Sequence, residues 1–299
     1  PTQLIRVPSI KFYQPLCSGS FVMNKIFFLL VCFISAYINF SSFAQTTGPI
    51  RGSLVVGGGG MRDLDILHRF AELAGGHDAP IVVIPTAGGA ENYNQYWSGL
   101  EQFKQAGFTN LTLIHTYDPN IADTDEFATP IHNAQGVWFT GGRQWRLADA
   151  YLNNKVHEAL TGLLERDGVI GGSSAGATIL GSYLARGDSS GNTIMMGDHE
   201  EGFGFIKNIA IDQHLLRRNR HFDLLEIIEA KPGLLGIGLD EDTAIVVQGN
   251  LFEVIGQSYA VIYDHEDKLA SGRQFYFLEP GDEFNLLSRQ GYRPEEVLR

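Results

Sequence analysis

The stretch VIGGSSAGATIL, residues 169–180, decides the fold class of this protein. An apolar run typical of a buried strand leads into small residues and then into a second apolar segment typical of a helix. Gly172, Ser174 and Gly176 fit the G-x-S-x-G spacing of a nucleophile elbow, where small neighbours let the chain turn sharply. The free N–H groups at the start of the helix would stabilise an oxyanion. The pattern predicts Ser174 as a nucleophile, with Ser173, off the apex of the turn, as the rival.

Strand-like and helix-like segments alternate through the first two thirds of the chain. Four earlier apolar runs read as strands: SLVVGGGG (53–60), APIVVIPTAGG (79–89), NLTLIHTYD (110–118) and GVWFTGG (136–142). The segments 61–76, 92–108 and 143–168 have helical spacing. Continuous apolar runs that alternate with helices predict an α/β fold with a mostly parallel central sheet flanked by helices. Residues 234–264 read as strands joined by tight turns, with Gly249-Asn250 as a hairpin, and predict an antiparallel C-terminal extension.

Glycine clusters stand at or just before the predicted strand exits, at positions 57–60, 88–89, 141–142 and 171–172. Sites in parallel sheets lie at the carboxyl ends of the strands, so these clusters predict loops of bare backbone on one rim. The run at 57–60 does not indicate dinucleotide binding, because Arg62 and Asp63 stand where the fingerprint requires glycine. The acidic triplet 240–242 lacks the ligand spacing of a calcium loop and is interpreted as a structural turn.

The N-terminal region has the parts of a secretory signal peptide. Lys25 precedes the uncharged run 26–38, and Ser42 and Ala44 put small residues before a cut at Gln45. The run is short for a bilayer span. We therefore expect residues 23–44 to be a cleaved signal, residues 45–299 to form one domain, and residues 1–22, upstream of Met23, to lie outside the mature chain. The protein would be exported, to the periplasm or the extracellular space.

Charge and cysteine content exclude several function classes. The net charge of −12 argues against a general nucleic-acid binder, which needs a basic face, and against docking on anionic lipid. Cys17 and Cys32 both precede the predicted cut, so the mature chain would have neither a disulfide nor a cysteine nucleophile. No histidine pair has the spacing of a zinc helix, so we predict no metal and no cofactor.

A serine nucleophile needs a base, and His214 is the best candidate. It follows the apolar run 209–211, so a strand end would bring it to the same rim as Ser174. His221 lies in an arginine-rich polar stretch and is interpreted as a helix-surface residue, and His199 as part of a surface loop.

Four stretches together resemble the cyanophycinase and peptidase E family of serine peptidases. They are FTGGRQWRL (139–147), GGSSAGA (171–177), IDQHLLRRNR (211–220) and LLGIGLDEDTAIVV (234–247). The resemblance implies a class I glutamine amidotransferase-like fold, with serine in place of the cysteine of those amidotransferases. It implies that Ser174 attacks a peptide carbonyl, that His214 acts as base and then acid, and that Gly142 and Ala175 form the oxyanion hole. Family members cut next to aspartyl residues and are often dimers, which implies peptide or polymer substrates that contain Asp and a homodimer.

The family's substrate-binding residues map onto five positions by their place in the motifs. These are Gln144, Asp212, Gln213, Arg218 and Arg220. The arginines suit a carboxylate-rich ligand, because guanidinium binds carboxylates bidentately.

The chain departs from the cyanophycinase pattern at two positions. Asp223 stands where those enzymes carry a third arginine, and Asn192 stands where the resemblance expects the catalytic glutamate. We take Asn192 as the third triad member by position, with Asp188 and Glu200 as rivals. The resulting prediction is an exported cyanophycinase-type serine peptidase. The alternatives are a non-catalytic acidic-peptide-binding or sugar-binding relative that has lost the triad acid, and an amidase acting on a non-peptide amide.

Overall fold

A nine-stranded mixed sheet forms the centre of the protein in a computed structural model that describes residues 46–294. Its strands, in spatial order, are β14 (Gln290–Tyr292), β13 (Glu283–Asn285), β10 (Leu251–Gly256), β9 (Thr243–Gln248), β1 (Ser53–Gly57), β5 (Val169–Ser173), β4 (Gly136–Phe139), β2 (Ile81–Ile84) and β3 (Leu111–Leu113). Strands β1, β5, β4, β2 and β3 are parallel, whereas β9, β10, β13 and β14 join antiparallel. The predicted α/β class with a mostly parallel central sheet is confirmed.

A second sheet has five strands. They are β12 (Tyr276–Leu278), β11 (Ala260–Asp264), β8 (Leu235–Leu239), β7 (Ile206–Gln213) and β6 (Gly181–Tyr183). Three of them, β8, β11 and β12, belong to the C-terminal region. The hairpin at Gly249-Asn250 is present, because Gln248 pairs with Leu251 across that two-residue turn. The antiparallel strands are therefore divided between two sheets, which period-two patterns alone do not reveal.

Nine α-helices within residues 46–294 connect and cover the sheets. They are α1 (Asp65–Leu73), α2 (Glu101–Gln105), α3 (Pro119–Ala122), α4 (Asp125–Asn133), α5 (Gln144–Tyr151), α6 (Lys155–Glu165), α7 (Ala175–Thr178), α8 (Leu224–Ala230) and α9 (His265–Ser271). The helix expected over 92–108 is shorter, because Asn94 Oδ1 accepts a hydrogen bond from Tyr96 N at 2.9 Å and holds a local turn instead. Asn154 caps α6 through its side chain and separates it from α5.

Both faces of the central sheet are buried. Leu54 and Val56 point into a core shared with the second sheet, and Val55 points into a separate cluster with Phe70 and Trp138 under α1 and α2. This explains why the strand runs are apolar throughout rather than alternating.

Strands β1, β2, β4 and β5 end at a common edge of the central sheet, since they pair in parallel register. The glycine clusters 57–60, 88–89 and 141–142 follow those ends. Gly171 and Gly172 lie inside β5 itself, where a Cβ would clash with Trp138 and with the backbone of Gly176.

The predicted signal peptide (23–44) and the upstream segment (1–22) lie outside the described residues. Within residues 46–294, no helix combines the length and apolar character that a membrane crossing requires.

Candidate active site

Ser174 lies on the turn between β5 and α7. Its backbone has φ +56° and ψ −117°, a strained conformation for a residue with a side chain. Its N–H donates to Gly57 O of the neighbouring strand at 3.0 Å, which anchors the turn to β1. Ser173 ends β5 and pairs with Gly57 in the sheet register. The two serines that the sequence left as candidates therefore have different places, one at the apex of the turn and one inside the sheet.

The imidazole of His214 joins Ser174 to a carboxylate. Nε2 lies 2.9 Å from Ser174 Oγ, and Nδ1 lies 2.8 Å from Glu241 Oε1. An ionised carboxylate only accepts hydrogen bonds, so Nδ1 carries the proton and Nε2 accepts from the serine hydroxyl. This is the arrangement of a Ser-His-acid triad.

Asn192 does not hold the imidazole, so the prediction that it is the third triad member is wrong. Both ring nitrogens of His214 are already engaged, by Ser174 and by Glu241, so the ring has no nitrogen left for a further partner. The Asn192 carbonyl instead accepts from Arg186 Nη1 at 3.0 Å.

The two rival acids also have other partners. Asp188 Oδ1 accepts from the backbone N–H groups of Ser190 and Gly191 at 2.8 and 3.0 Å. Glu200 accepts from Tyr183 Oη and from Lys231 Nζ at 3.2 and 3.0 Å. Asp188 therefore holds its own turn, and Glu200 binds side chains of β6 and of the end of α8.

Glu241 reaches the site because it precedes an antiparallel strand. Strand β9 runs beside β1 with Ala244 opposite Gly57, the last residue of β1. An antiparallel strand begins at the edge where its parallel neighbours end, so the residue before it lies on the same rim. The sequence signal for Glu241 is the acidic triplet 240–242 directly before a strand, which by pattern alone indicates only a structural turn.

The two acids that flank the triad glutamate fasten the neighbouring loops. Asp240 Oδ1 accepts from the N–H groups of Leu216 and Arg217 at 3.0 and 2.9 Å, in the turn that follows the triad histidine. Asp242 accepts from the backbone N–H and the guanidinium of Arg62, in the loop after β1. The interpretation as a structural turn thus holds for the outer two acids only.

The glycine run 57–60 packs directly on the triad. Gly58 O accepts from His214 N at 2.9 Å. A Cβ at Gly59 would lie 2.3 Å from His214 Cε1, and a Cβ at Gly60 would lie 2.9 Å from Glu241 Cβ. Larger residues at these positions would displace the imidazole or the carboxylate. The absence of side chains at this rim therefore lets the backbone of the glycine run approach His214 and Glu241 closely.

Three backbone N–H groups surround Ser174 without an acceptor among the described residues: those of Gly141, Gly142 and Ala175. A Cβ at Gly141 would lie 3.2 Å from Ser174 Cβ, so this backbone passes next to the hydroxyl. Ala175 is the first residue of α7, whose N-terminal N–H groups are free. The N–H groups of the two predicted oxyanion donors, Gly142 and Ala175, are therefore without an acceptor among the described residues, and their role in binding an oxyanion stays a prediction.

Gln144 and Asp212, predicted to bind substrate, are completely buried. Gln144 Nε2 donates to Ala185 O at 2.6 Å. Asp212 pairs with Arg186 through two bonds, Nε to Oδ1 at 2.8 Å and Nη2 to Oδ2 at 2.9 Å. Asp212 is therefore bonded inward through both carboxylate oxygens, whereas Gln144 is bonded through Nε2 and its buried Oε1 has no partner among the described residues. Arg186 has no signal in the motifs of the sequence. Its guanidinium binds both Asp212 and Asp223.

Arg218 and Arg220 line a cavity of about 550 Å³ together with Asp223. Arg220 Nη1 donates to the carbonyl and to Oε1 of Gln213 at 3.1 and 3.2 Å. Gln213 is buried, and these two bonds orient the arginine. Arg218 is exposed and has no carboxylate partner within residues 46–294. Of the predicted substrate-binding residues, these two arginines are the ones that a ligand in the cavity could touch.

The environment of His214 favours its neutral form. Burial lowers the pKa of His214 below the usual value, the hydrogen bond that Nδ1 donates to Glu241 opposes this, and the charges of Arg218 and Arg220 lower the pKa further. A neutral imidazole is the form that accepts the serine proton.

The other two histidines weighed as bases are occupied elsewhere. His199 lies between Asp149 and Asp198, with its ring nitrogens 2.8 Å from each carboxylate. The His221 ring packs on Phe222 with centroids 4.2 Å apart. Within the described part of the chain, no three His, Cys, Asp or Glu side chains are grouped to hold a metal ion.

The fold and the Ser-His-Glu arrangement at its rim are those of a serine-type peptidase. The profile described as Peptidase family S51 matches residues 54–255. The chain belongs to this family, and the resemblance inferred from its motifs is confirmed.

Known relatives agree with this assignment. The chain is 31% identical over 264 residues to a cyanophycinase from Geminocystis herdmanii, covering 81% of this chain and 96% of that protein. It is 28% identical over 259 residues to a cyanophycinase from Trichormus variabilis, covering 79% of this chain and 86% of that protein. The crystal structure of a peptidase from an acI-B1 actinobacterium has the same fold, with a TM-score of 0.63 and 24% identity over 80% of this chain and 98% of that one.

Proposed function

We propose that this protein is an exported serine peptidase of cyanophycinase type that hydrolyses aspartyl-linked peptides. The observation that carries the proposal is the continuous hydrogen-bonded path from Ser174 Oγ through His214 to Glu241, at 2.9 and 2.8 Å. Relatives described as cyanophycinases suggest cyanophycin as a substrate. The resemblance of the motifs adds β-Asp-Arg-like and Asp-X peptides to the substrate class that we propose.

The chemistry follows from this path. Ser174 Oγ attacks the amide carbon while its proton passes to His214 Nε2, and Glu241 stabilises the resulting imidazolium. The carbonyl oxygen becomes an oxyanion that accepts from the N–H groups of Gly142 and Ala175. The C–N bond then breaks as the imidazolium gives its proton to the leaving nitrogen. A water molecule, deprotonated by His214, releases the acyl group and regenerates the serine.

The charges around the triad suit an anionic substrate. Arg218 is without a carboxylate partner in the described residues, and Arg220 is oriented by Gln213. In our proposal, Arg218 and Arg220 bind the free carboxylate of the aspartyl residue through charge-assisted hydrogen bonds. Asp223 adds a negative charge to the same cavity, which would disfavour a second carboxylate there.

The test is hydrolysis of cyanophycin, β-Asp-Arg and Asp-X peptides by the purified mature chain. Ser174→Ala should lower kcat by at least ~10⁴-fold, since removal of a triad nucleophile leaves only background catalysis. Ser98→Ala, a substitution at an exposed serine in a short turn, is the matched control and should keep full activity. Turnover that survives Ser174→Ala would show that another group performs the reaction.

The non-catalytic alternative rested on the loss of the triad acid at Asn192. Glu241 occupies the position behind His214 in this chain, so that motivation no longer applies. Binding of aspartyl peptides without turnover, unchanged in Ser174→Ala, would nevertheless favour a binding protein over the peptidase.

Export and assembly remain separate parts of the proposal. Cleavage after Ala44 would give a mature protein that begins at Gln45, which mass spectrometry of the chain recovered from a periplasmic or culture fraction would detect. An intact N-terminal segment there would contradict it. Sedimentation equilibrium of the mature chain tests the expected homodimer.

A further inference from the structure

Arg146 is a cation without a carboxylate partner at the rim of the site. It lies on α5, and among the described residues its guanidinium makes one hydrogen bond, from Nη1 to Ala87 O at 3.0 Å. Its nearest acid along the helix, Asp149, is taken by His199 Nε2 at 2.8 Å. The chain carries 34 acidic and 22 basic side chains, so an arginine left unpaired in this acid-rich protein is available to an external anion.

A separate cavity surrounds this guanidinium. It measures about 290 Å³ and is lined by Gly89, Tyr117, Trp145, Arg146 and Asp149. The Arg146 guanidinium lies 5.2 Å from the centroid of the Trp145 ring, which holds it against an aromatic face. Gly89 has φ +87°, and a Cβ there would lie 2.1 Å from Arg146 Nη1. The glycine pair 88–89 thus leaves room for the guanidinium at the end of β2.

Backbone contacts connect this cavity to Ser174. Ala87 O, which accepts the hydrogen bond from Arg146, lies close to the loop of Gly141 and Gly142, here called the oxyanion loop. A Cβ at Gly142 would lie only 2.0 Å from Ala87 O, so the two loops are in contact. Gly141 of the same oxyanion loop approaches Ser174 Cβ. Arg218 instead follows His214 in the chain: its N–H donates to His214 O at 2.9 Å, and its charge acts on the imidazole. The two arginines without a carboxylate partner are thus connected to the site through different segments, Arg146 through the loop of Gly141 and Gly142, and Arg218 through the turn after His214.

We propose that the Arg146 cavity is a second anion subsite and that the preferred substrate carries a carboxylate on each side of the scissile amide. Arg146 binds one carboxylate and Arg218 binds the other. This inference rests on the proposed peptidase function and narrows its substrate class to short peptides with both carboxylates free. A β-linked aspartyl dipeptide has this chemistry, with the aspartyl α-carboxylate on the acyl side and the C-terminal carboxylate on the amine side.

The experiment compares β-Asp-Phe with its two monoamides, one blocked at the aspartyl α-carboxylate and one at the C-terminus. The wild type should hydrolyse the dipeptide with kcat/KM about 10- to 100-fold above that for either monoamide, the range expected for one charge-assisted pair. Arg218 is assigned to the aspartyl carboxylate, so Arg218→Gln should remove the discrimination against the monoamide blocked there. Arg146→Gln should remove the discrimination against the monoamide blocked at the C-terminus, mainly through KM. Arg146→Lys should keep part of the effect because the charge is retained. Arg69→Gln, at a half-buried arginine paired with Glu72, is the matched control and should leave all three values unchanged.

The outcomes separate the two proposals. Equal kcat/KM for the dipeptide and its monoamides, or an Arg146→Gln loss of the same size on all three, overturns the second subsite and leaves the peptidase standing. If nothing is cleaved, calorimetric binding of the same three peptides to Ser174→Ala is measured. Stronger binding of the dipeptide that depends on Arg146 keeps the subsite while the peptidase proposal fails, and equal or absent binding overturns the subsite as well.

Discussion

Ser174 and His214 both adopt a positive φ, +56° and +54°, although neither is glycine. Such backbone conformations cost about 1–3 kcal/mol each and persist only where the surroundings hold them. Backbone hydrogen bonds hold both residues in this conformation: Ser174 N donates to Gly57 O, and His214 N donates to Gly58 O. The two reacting side chains are thus fastened to adjacent residues of the same glycine run, which fixes their separation.

Substitution of Glu241 should separate the true triad acid from the position expected by resemblance. Glu241→Gln keeps the size of the side chain and removes the charge that orients and stabilises the imidazolium, so kcat should fall by about 10³- to 10⁴-fold. Asn192→Ala removes a side chain whose Oδ1 has no partner among the described residues and should change kcat by less than about threefold. Steady-state kinetics on one aspartyl peptide measures both, and the reverse order of effects would reinstate Asn192.

The pH profile should report the depressed pKa of His214. The imidazole must be neutral to accept the serine proton, so kcat/KM is retained above this pKa and is lost as the pH falls through it. Because burial lowers the pKa of His214, the acid limb should lie below the ordinary histidine value of about 6.5.

Arg218→Gln should move that limb to higher pH, since Arg218 is one of the charges that lower the pKa of His214. The matched comparison is Arg69→Gln, which leaves the neighbourhood of the imidazole intact. A limb that stays in place in Arg218→Gln would contradict the assignment of His214 as the titrating base.

At the level of elements, the loop after β1 is the part on which the triad depends most. Gly58 O in this loop accepts from His214 N, Gly57 O at the end of β1 accepts from Ser174 N, and the bare backbone of the loop packs against the imidazole. Helix α7 has only four residues, Ala175–Thr178, although the sequence predicted a longer helix there. The chain leaves it early because Gly181–Tyr183 pairs with β7 in the second sheet. Tertiary pairing overrides local helical spacing in this segment.

Gly59→Ala should therefore damage the site more than the fold. Its φ is +111° and the new Cβ would lie within 2.3 Å of His214 Cε1, so the ring must move away from Ser174. We expect kcat to fall by about 10²-fold or more, because small misplacements of reacting groups cost that much. Gly75→Ala is a control with a positive φ and no atom within 4 Å of the new Cβ. Similar kinetic losses in both variants would argue that backbone strain, rather than contact with the imidazole, is responsible.

At the level of the whole molecule, a buried ion network ties the second sheet to the site. Arg186 is 2% exposed and its guanidinium is shared by Asp212 of β7, by Asp223 and by the carbonyl of Asn192. It joins the loop after β6 to β7, the strand that ends one residue before His214. Two residues predicted for the site belong to this network instead: Asp212 through its carboxylate, and Asn192 through its backbone carbonyl.

Asp212→Ala should destabilise the fold, because it leaves a buried guanidinium without its principal partner. Removal of one member of a buried ion pair costs about 3–5 kcal/mol of the free energy of unfolding. Urea denaturation measures the loss. Asp223→Ala, in which Asp212 still neutralises Arg186, should cost clearly less. Equal and small costs would show that water reaches the cluster on mutation.

The local pattern of the chain was sufficient for several features. Continuous apolar runs separated by helical spacing determine the parallel-centred α/β fold, since only strands buried on both faces tolerate them. The G-x-S-x-G turn and the strand end before His214 were enough to single out the hydroxyl and the imidazole that lie 2.9 Å apart. Their strands, β5 and β7, belong to different sheets, so it is the packing of the two sheets that brings these strand ends together. The hairpin at Gly249-Asn250 follows from turn chemistry alone.

Only the tertiary structure decided which acid completes the triad, how the C-terminal strands divide between two sheets, and that Gln144 and Asp212 face inward. Glu241 lies 27 residues after His214 along the chain and arrives through an antiparallel strand whose neighbour is β1. Strand order is a long-range choice, set by how the sheets pack rather than by residues near the site. The same holds for burial, because a polar side chain in a strand looks alike in sequence whether it meets a ligand or a buried arginine.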